Sequence, residues 1–187
     1  MSTENNYIFK SERLGFRAWS DSDIDKMAEI NADPEVMKFF PATSSITRTI
    51  DFIERMKHLL DQKGFCYFSV DKLEDGKFIG FIGLAEQRFE AEFNPCIDIG
   101  WRLDRAEWRQ GYATEGAKRC LQYAFQELKL KKINAIAPEI NLRSIQIMER
   151  IGMKRISTFK HPFLAATERL QTCVLYEIRN ETPLNID

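Results

Sequence analysis

Hydrophobic and polar positions change period several times along this chain. Leu14, Phe16 and Ala18 alternate with Gly15, Arg17 and Trp19, which predicts a first strand. Ser20 and Asp21 offer N-caps for a helix carrying Ile24, Met27, Ala28 and Ile30. Asp33-Pro34-Glu35 reads as another helix start, with proline at the first helical position. Ile50, Ile53, Met56, Leu59 and Leu60 keep helical spacing, and Gly64 can stop that helix. Two apolar runs, Phe65 to Val70 and Phe78 to Leu84, flank Glu74-Asp75-Gly76 and predict a hairpin. A strand from Ile97 to Leu103 precedes a long helix from about Gly111 to Leu128, with Ala113, Ala117, Leu121, Ala124 and Leu128 on one face. Ile133 to Ala137 reads as a strand, and Asn141 to Ile151 as a short helix stopped by Gly152. Lys154 to Phe159 and Thr172 to Glu177 read as the last strands. This order predicts an α/β fold around a mixed sheet. No repeat, low-complexity tract or linker interrupts it, so a single domain over residues 1–187 is expected.

Composition narrows the function classes. With 44% hydrophobic and 29% charged residues, the chain is expected to fold and to bury a sizeable core without staples. A net charge of -1 argues against a global polyanion binder, so no nucleic-acid partner is expected. No apolar run approaches the ~18 residues of a membrane span. The polar start Met-Ser-Thr-Glu-Asn-Asn lacks a signal-peptide pattern, and the expected location is the cytoplasm. Cys66, Cys96, Cys120 and Cys173 form no C-x-x-C pair and read as reduced, buried thiols. With only His58 and His161 besides, no metal site is expected. Neither histidine is taken as catalytic. Phe39-Phe40-Pro41 reads as core or as the lining of a substrate pocket, with core favoured. Nucleophile-elbow and Gly-rich nucleotide motifs are missing.

The informative stretch is Ile97 to Thr114, IDIGWRLDRAEWRQGYAT. A strand runs through a polar turn into a helix whose first N–H groups have no intrahelical partner. The helix dipole adds partial positive charge there, and Gly111 lets an anion approach the backbone. This is a phosphate cradle in principle. Between Arg102 and Lys132, eight basic residues face four acids, a local +4 that suits a small polyanion.

Trp108-Arg109-Gln110-Gly111-Tyr112-Ala113-Thr114-Glu115 resembles the acetyl-CoA-binding turn, Q/R-x-x-G-x-G/A, of the GCN5-related N-acetyltransferases (GNATs). Trp108 stands at the first position, as is common in that superfamily's ribosomal-protein N-terminal (Rim-like) branch. Ile99-Gly100-Trp101-Arg102-Leu103 resembles the preceding strand. Asn141-Leu142-Arg143-Ser144, with Met148 to Met153 after it, resembles the later N-x-x-S helix and its stop. Ser11-Glu12-Arg13-Leu14 with Arg17 resembles that branch's opening, so the likeness spans roughly residues 11–177.

The resemblance implies an α/β fold with a mixed, mostly antiparallel sheet and helices on both faces. It implies transfer of an acetyl group from acetyl-CoA, as co-substrate, to a primary amine. Trp101, Arg102 and Leu103 would hold the pantetheine arm through their backbone. Arg109, Gln110, Gly111, Tyr112, Ala113 and Thr114 would hold the phosphates. Asn141 and Ser144 would face the thiol end, with Ser144 donating to the leaving sulfur; Asn141 serves equally well as a helix cap. Amine acetylation also needs a proton acceptor, for which Asp98 and Glu86 are candidates. No positioned Cys-His pair suggests a covalent route, so direct attack is expected. The acceptor is a protein N-terminal α-amino group or, alternatively, a small amine such as a polyamine, amino acid or drug. A non-catalytic acyl-CoA-binding module is a further alternative. A monomer or a homodimer joined through edge strands fits the pattern equally.

Overall fold

The computed structural model describes residues 6–180. Its centre is an eight-stranded sheet formed by β1 (Phe9–Lys10), β2 (Leu14–Arg17), β3 (Tyr67–Lys72), β4 (Phe78–Gln87), β5 (Cys96–Leu103), β6 (Lys132–Pro138), β7 (Lys154–Lys160) and β8 (Thr172–Arg179), in the order β1-β2-β3-β4-β5-β6-β8-β7. Every neighbouring pair is antiparallel except β5 and β6, which run parallel and meet at one register pair, Asp98 opposite Asn134. Beyond that pair the two strands part toward their C-terminal ends.

Helices cover both faces of the sheet. On one face, α3 (Tyr112–Gln122) lies on Leu14, Phe16 and Ile82, so closely that a Cβ at Gly116 would collide with Ile82 Cδ1. A π-helical turn, Tyr123–Glu127, extends α3. Buried Ala117, Leu121 and Ala124 form its inner stripe. The expected 3.6-residue periodicity is therefore carried by two kinds of helix. On the opposite face, α1 (Ile24–Ala32) and α2 (Ile46–Lys63) cover an aromatic layer of Trp19, Phe52, Tyr67 and Phe81, with ring centroids 5.1–6.4 Å apart. Two short helices complete the chain, α4 (Leu142–Arg150) and α5 (Glu168–Gln171).

Local chemistry accounts for most boundaries. Ser20 and Asp23 form a capping box ahead of α1. Gly64, at φ +76°, ends α2. The β3–β4 hairpin turns over Glu74-Asp75-Gly76, as expected.

Four expectations are corrected. The alternation does not run through Trp19: Ala18 is exposed and Trp19 buried, because β2 ends at Arg17 and the Trp19 indole turns in to donate to the Tyr67 carbonyl (2.6 Å). The apolar pattern also left out β1, whose two residues are too few to show a period. No helix starts at Asp33-Pro34-Glu35; residues 34–39 form turns, and the Asp33 carboxylate accepts from the Glu35 amide as in an Asx-turn. Phe40 is 40% exposed rather than core, and its ring lies against the Arg102 guanidinium.

A buried ionic cluster ties the N-terminal strands together. Arg17 donates from Nη1 and Nη2 to Asp23 (2.7 and 2.8 Å) and from Nε and Nη2 to Asp71 (2.7 and 2.9 Å). Both carboxylates are buried. All four cysteines are buried free thiols.

Candidate functional site

The turn before α3 has a strained backbone. Arg109 sits at φ +64°, unusual for a residue with a Cβ, and Gly111 at φ +84°. A side chain at Gly111 would have to adopt the same left-handed conformation. The intrahelical ladder begins with the Glu115 amide on the Gly111 carbonyl (3.0 Å), so the amides of Tyr112, Ala113 and Thr114 open outward with no i−4 carbonyl. Exposed Arg109 and Gln110 stand at this opening.

The chain's opening residues hold the turn in place. Glu115 accepts from the Ser11 hydroxyl (2.6 Å), the Arg13 amide (2.8 Å) and Arg13 Nε (2.6 Å). Burial alone would raise the Glu115 pKa, but these donors hold it below the usual carboxylate value. Arg13 also donates from Nη1 to the Gln110 carbonyl (3.0 Å) and lies over the Tyr112 ring. The one acid in the first turn of α3 is thereby neutralised, and positive charge at the helix start is left uncompensated. Trp108 fastens the other side: its indole donates to the Leu103 carbonyl (3.0 Å), and Arg143 of α4 lies 5.2 Å from the ring centroid. Local spacing revealed the turn but not this clamp, which joins residues about 100 positions apart.

The parting of β5 and β6 leads from this turn into the sheet. Strand alternation puts Asp98, Gly100 and Arg102 on the α1/α2 face, and Ile99, Trp101 and Leu103 on the α3 face. Trp101 is half-buried, and Leu103 buried. The backbone of Trp101–Leu103 borders the gap, while the Arg102 side chain points away from the turn toward α1. Asn141 caps α4, its side-chain oxygen accepting from the Ser144 amide (3.3 Å). Ser144 is half-buried on the first turn of α4. At the closed end of the gap, buried Asn134 donates weakly to the Tyr176 carbonyl (3.4 Å), and its Oδ1 has no partner among the described residues.

The two candidate carboxylates occupy opposite faces of β4–β5, since Asp98 pairs with Ala85 and Glu86 with Ile97. Glu86 is partly exposed and bridges to Arg88 (2.8 Å). Asp98 is 8% exposed and has no cationic partner among the described residues. Its Oδ1 accepts from the Tyr67 hydroxyl (2.6 Å) and Gln87 Nε2 (3.1 Å). Burial raises its pKa to about 6, against the pull of those two donors. Burial and the neighbouring Asp98 charge keep the Tyr67 phenol protonated and able to donate. The Tyr67 ring lies over Gly100, where a Cβ would come within 3.0 Å of it. Sequence reasoning missed Tyr67 and Gln87. Both sit in strands whose apolar character was legible, but cross-strand register alone brings them to Asp98.

The thiols and histidines offer no comparable group. Burial raises the Cys96 thiol to about 12 and Cys173 to about 11, with Cys66 and Cys120 also raised, so no thiol is primed as a nucleophile. His58 is exposed, and His161 caps a loop through Nδ1 to the Phe163 amide (3.2 Å). Among the described residues no group of three His, Cys, Asp or Glu side chains could hold a metal ion, and no helix is long and apolar enough to cross a membrane.

Comparison with known proteins follows the same outline. The sequence matches the acetyltransferase (GNAT) domain family over residues 13–154. It is 29% identical over 153 residues to the N-acetyltransferase YnaD of Bacillus subtilis (strain 168), covering 80% of this chain and 84% of that protein. A GNAT-family acetyltransferase structure from Bacillus anthracis superposes with a TM-score of 0.77 at 27% identity, covering 92% of this chain and 98% of the other. The spermidine N-acetyltransferase of Vibrio cholerae, solved with CoA and spermine, has a TM-score of 0.70 at 19% identity over 89% of this chain and 95% of that one, a likeness of fold.

Proposed function

Because the chain belongs to the GNAT acetyltransferase family and so takes acetyl-CoA as co-substrate, we propose that Asp98 is the base that frees the acceptor amine for direct attack. The observation that carries this reading is a buried carboxylate, raised to about 6, where β5 and β6 part. Such a group is largely ionised at neutral pH and still basic enough to take a proton. Tyr67 and Gln87 hold Oδ1, which leaves Oδ2 for an incoming ammonium or a relaying water. Glu86, on the other face and paired with Arg88, is the weaker candidate.

The other expected roles fit the same gap. The amides of Tyr112–Thr114, with Arg109, Gln110 and Gly111, would receive the phosphates. The backbone of Trp101, Arg102 and Leu103 would line the pantetheine arm. Ser144 would donate to the sulfur as the thiolate leaves, with Asn141 holding the first turn of α4 in position. Trp108 and the Ser11–Arg13 opening support a place near the Rim-like branch.

The acceptor is best read as an amine of moderate pKa. An α-amino group titrates near 7.7–8.0 and a lysine side chain near 10.4, so presenting neutral lysine costs about 3 kcal/mol more. A base near 6 suits the first. A protein N-terminus and a small amine both satisfy this; a cleft of about 440 Å³ between Arg102 and α2 favours the small amine. Gly111→Glu tests the cofactor half of the reading. Affinity for acetyl-CoA by calorimetry should fall at least tenfold, about 1.4 kcal/mol, and unchanged affinity would remove the phosphate role of the turn. Comparing kcat/KM for a peptide with a free N-terminus and the same peptide N-blocked with an internal lysine tests the acceptor half; a faster lysine peptide would defeat it.

A further inference from the structure

Buried Asp98 and half-buried Arg102, on one strand face, have no ion-pair partner among the described residues. Asp98 is held by a phenol and an amide and Arg102 by an amide oxygen, and they are four residues apart on the same side of β5. Four residues of strand span about 13 Å, too far for the two to meet. Arg102 makes one hydrogen bond, from Nη1 to Asn31 Oδ1 (2.6 Å). Its plane lies against Phe40 (4.2 Å) and Phe81 (5.4 Å), and its buried Nε has no acceptor among the described residues. A guanidinium has five donors in a planar fork suited to a carboxylate, and here most are unused.

The surroundings add to the positive charge. Arg102 forms the floor of a cleft of about 440 Å³ under α2, lined also by Asn31, Ser44, Phe52, Arg48 and Arg55. Asp51 is the single acid among its lining residues. The volume fits a small molecule, and three arginines against one aspartate disfavour a polycation. The cleft's lining residues stop short of Asp98; Phe52 lines the cleft and stacks on Tyr67 (6.3 Å), whose hydroxyl holds Asp98.

We propose that the acceptor is a small zwitterion, an amine that also carries a carboxylate, with its ammonium directed to Asp98 and its carboxylate to Arg102. This rests on the acetyltransferase reading above. In the reaction the ammonium gives one proton to Asp98; the neutral nitrogen then bonds to the acetyl carbonyl carbon, the carbon–sulfur bond breaks, and the nitrogen's second proton passes to the leaving thiolate, so the products are an N-acetylated acid and the CoA thiol. The separation of the two charges allows amine and carboxylate to stand several bonds apart.

The test is a panel of α-, β- and ω-amino acids and dipeptides, each assayed beside its carboxamide, with spermidine included, following CoA release by wild-type protein. At least one carboxylate should be preferred over its amide tenfold or more in kcat/KM. Arg102→Met should abolish that preference, mainly by raising KM for the carboxylate. Arg48→Ala and Arg55→Ala, at exposed positions on α2, should weaken it about two- to fivefold, which keeps the test decisive if the buried variant fails to fold. Amides or spermidine turned over as readily as carboxylates, or no carboxylate accepted, would overturn the inference while bound acetyl-CoA left the family reading intact. Protein that binds no acetyl-CoA would overturn both.

Discussion

Arg17 and Arg102 are both largely buried against the same sheet face, and they are treated in opposite ways. Arg17 lies between Asp23 and Asp71 with four short hydrogen bonds, so its charge is balanced inside the fold. Arg102 has one neutral amide oxygen and two aromatic faces. Burial lowers its pKa to about 10, still well above neutrality, so it remains a cation. Asp98 is its counterpart, a buried acid held by a phenol and an amide. Among the described residues the fold thus pairs one set of charges and leaves a second cation and acid apart on the same sheet face. The unpaired groups carry a burial cost that a ligand with matching charges can offset.

Breaking the paired end should have the largest effect. Arg17→Met removes the guanidinium whose four hydrogen bonds hold buried Asp23 and Asp71 and should cost about 3–5 kcal/mol of folding stability, measured by urea denaturation. A loss under about 1 kcal/mol would mean the cluster is wet enough to tolerate the vacancy.

Asp98→Asn should move stability in the other direction. The folded pKa of Asp98 lies near 6, above its ordinary 3.8, so its stabilising contribution is complete below about pH 4 and is lost as pH rises through 6. Removing the charge should therefore stabilise the protein by roughly 3 kcal/mol at pH 8 and hardly at all at pH 4. Turnover should fall most on the low-pH limb of the profile. Equal stability of the two proteins across that range would show that Asp98 is not held charged against burial, and a flat pH–rate difference would move the base role to Glu86 or water.

Arg102→Met should have the smallest effect on folding, within about 1 kcal/mol of wild type. It loses one hydrogen bond to Asn31 but leaves no buried acid behind and removes a desolvated charge. A loss as large as that of Arg17→Met would erase the distinction between the two arginines.

The boundaries of most elements follow from local chemistry in the sequence. The helix from Ile46 to Lys63 shows its apolar stripe and its glycine stop, and the hairpin around Gly76 shows its turn. Asp33-Pro34-Glu35 misled because an Asx-turn and a helix N-cap begin with the same residues and diverge only when the following turn fails to bury a stripe. The turn at Gly111 was legible because a glycine opening an apolar-periodic helix is a local pattern. Asp98 was legible as a carboxylate in an apolar strand, though not as distinct from Glu86, since a one-residue change in register decides which sheet face each occupies.

By itself, then, the sequence determined the alternation of strands and helices, the helix-start turn and the family likeness, all of which rest on residues close together in the chain. Only the tertiary structure decided that Ser11 and Arg13 neutralise Glu115, that Tyr67 and Gln87 hold Asp98, and that Arg17 is paired while Arg102 is not. The physical reason is range. Helical period, caps and turns are set by neighbours within a few positions, whereas burial and partnership of a charge are set by whichever strand and helix pack against it, tens of residues away.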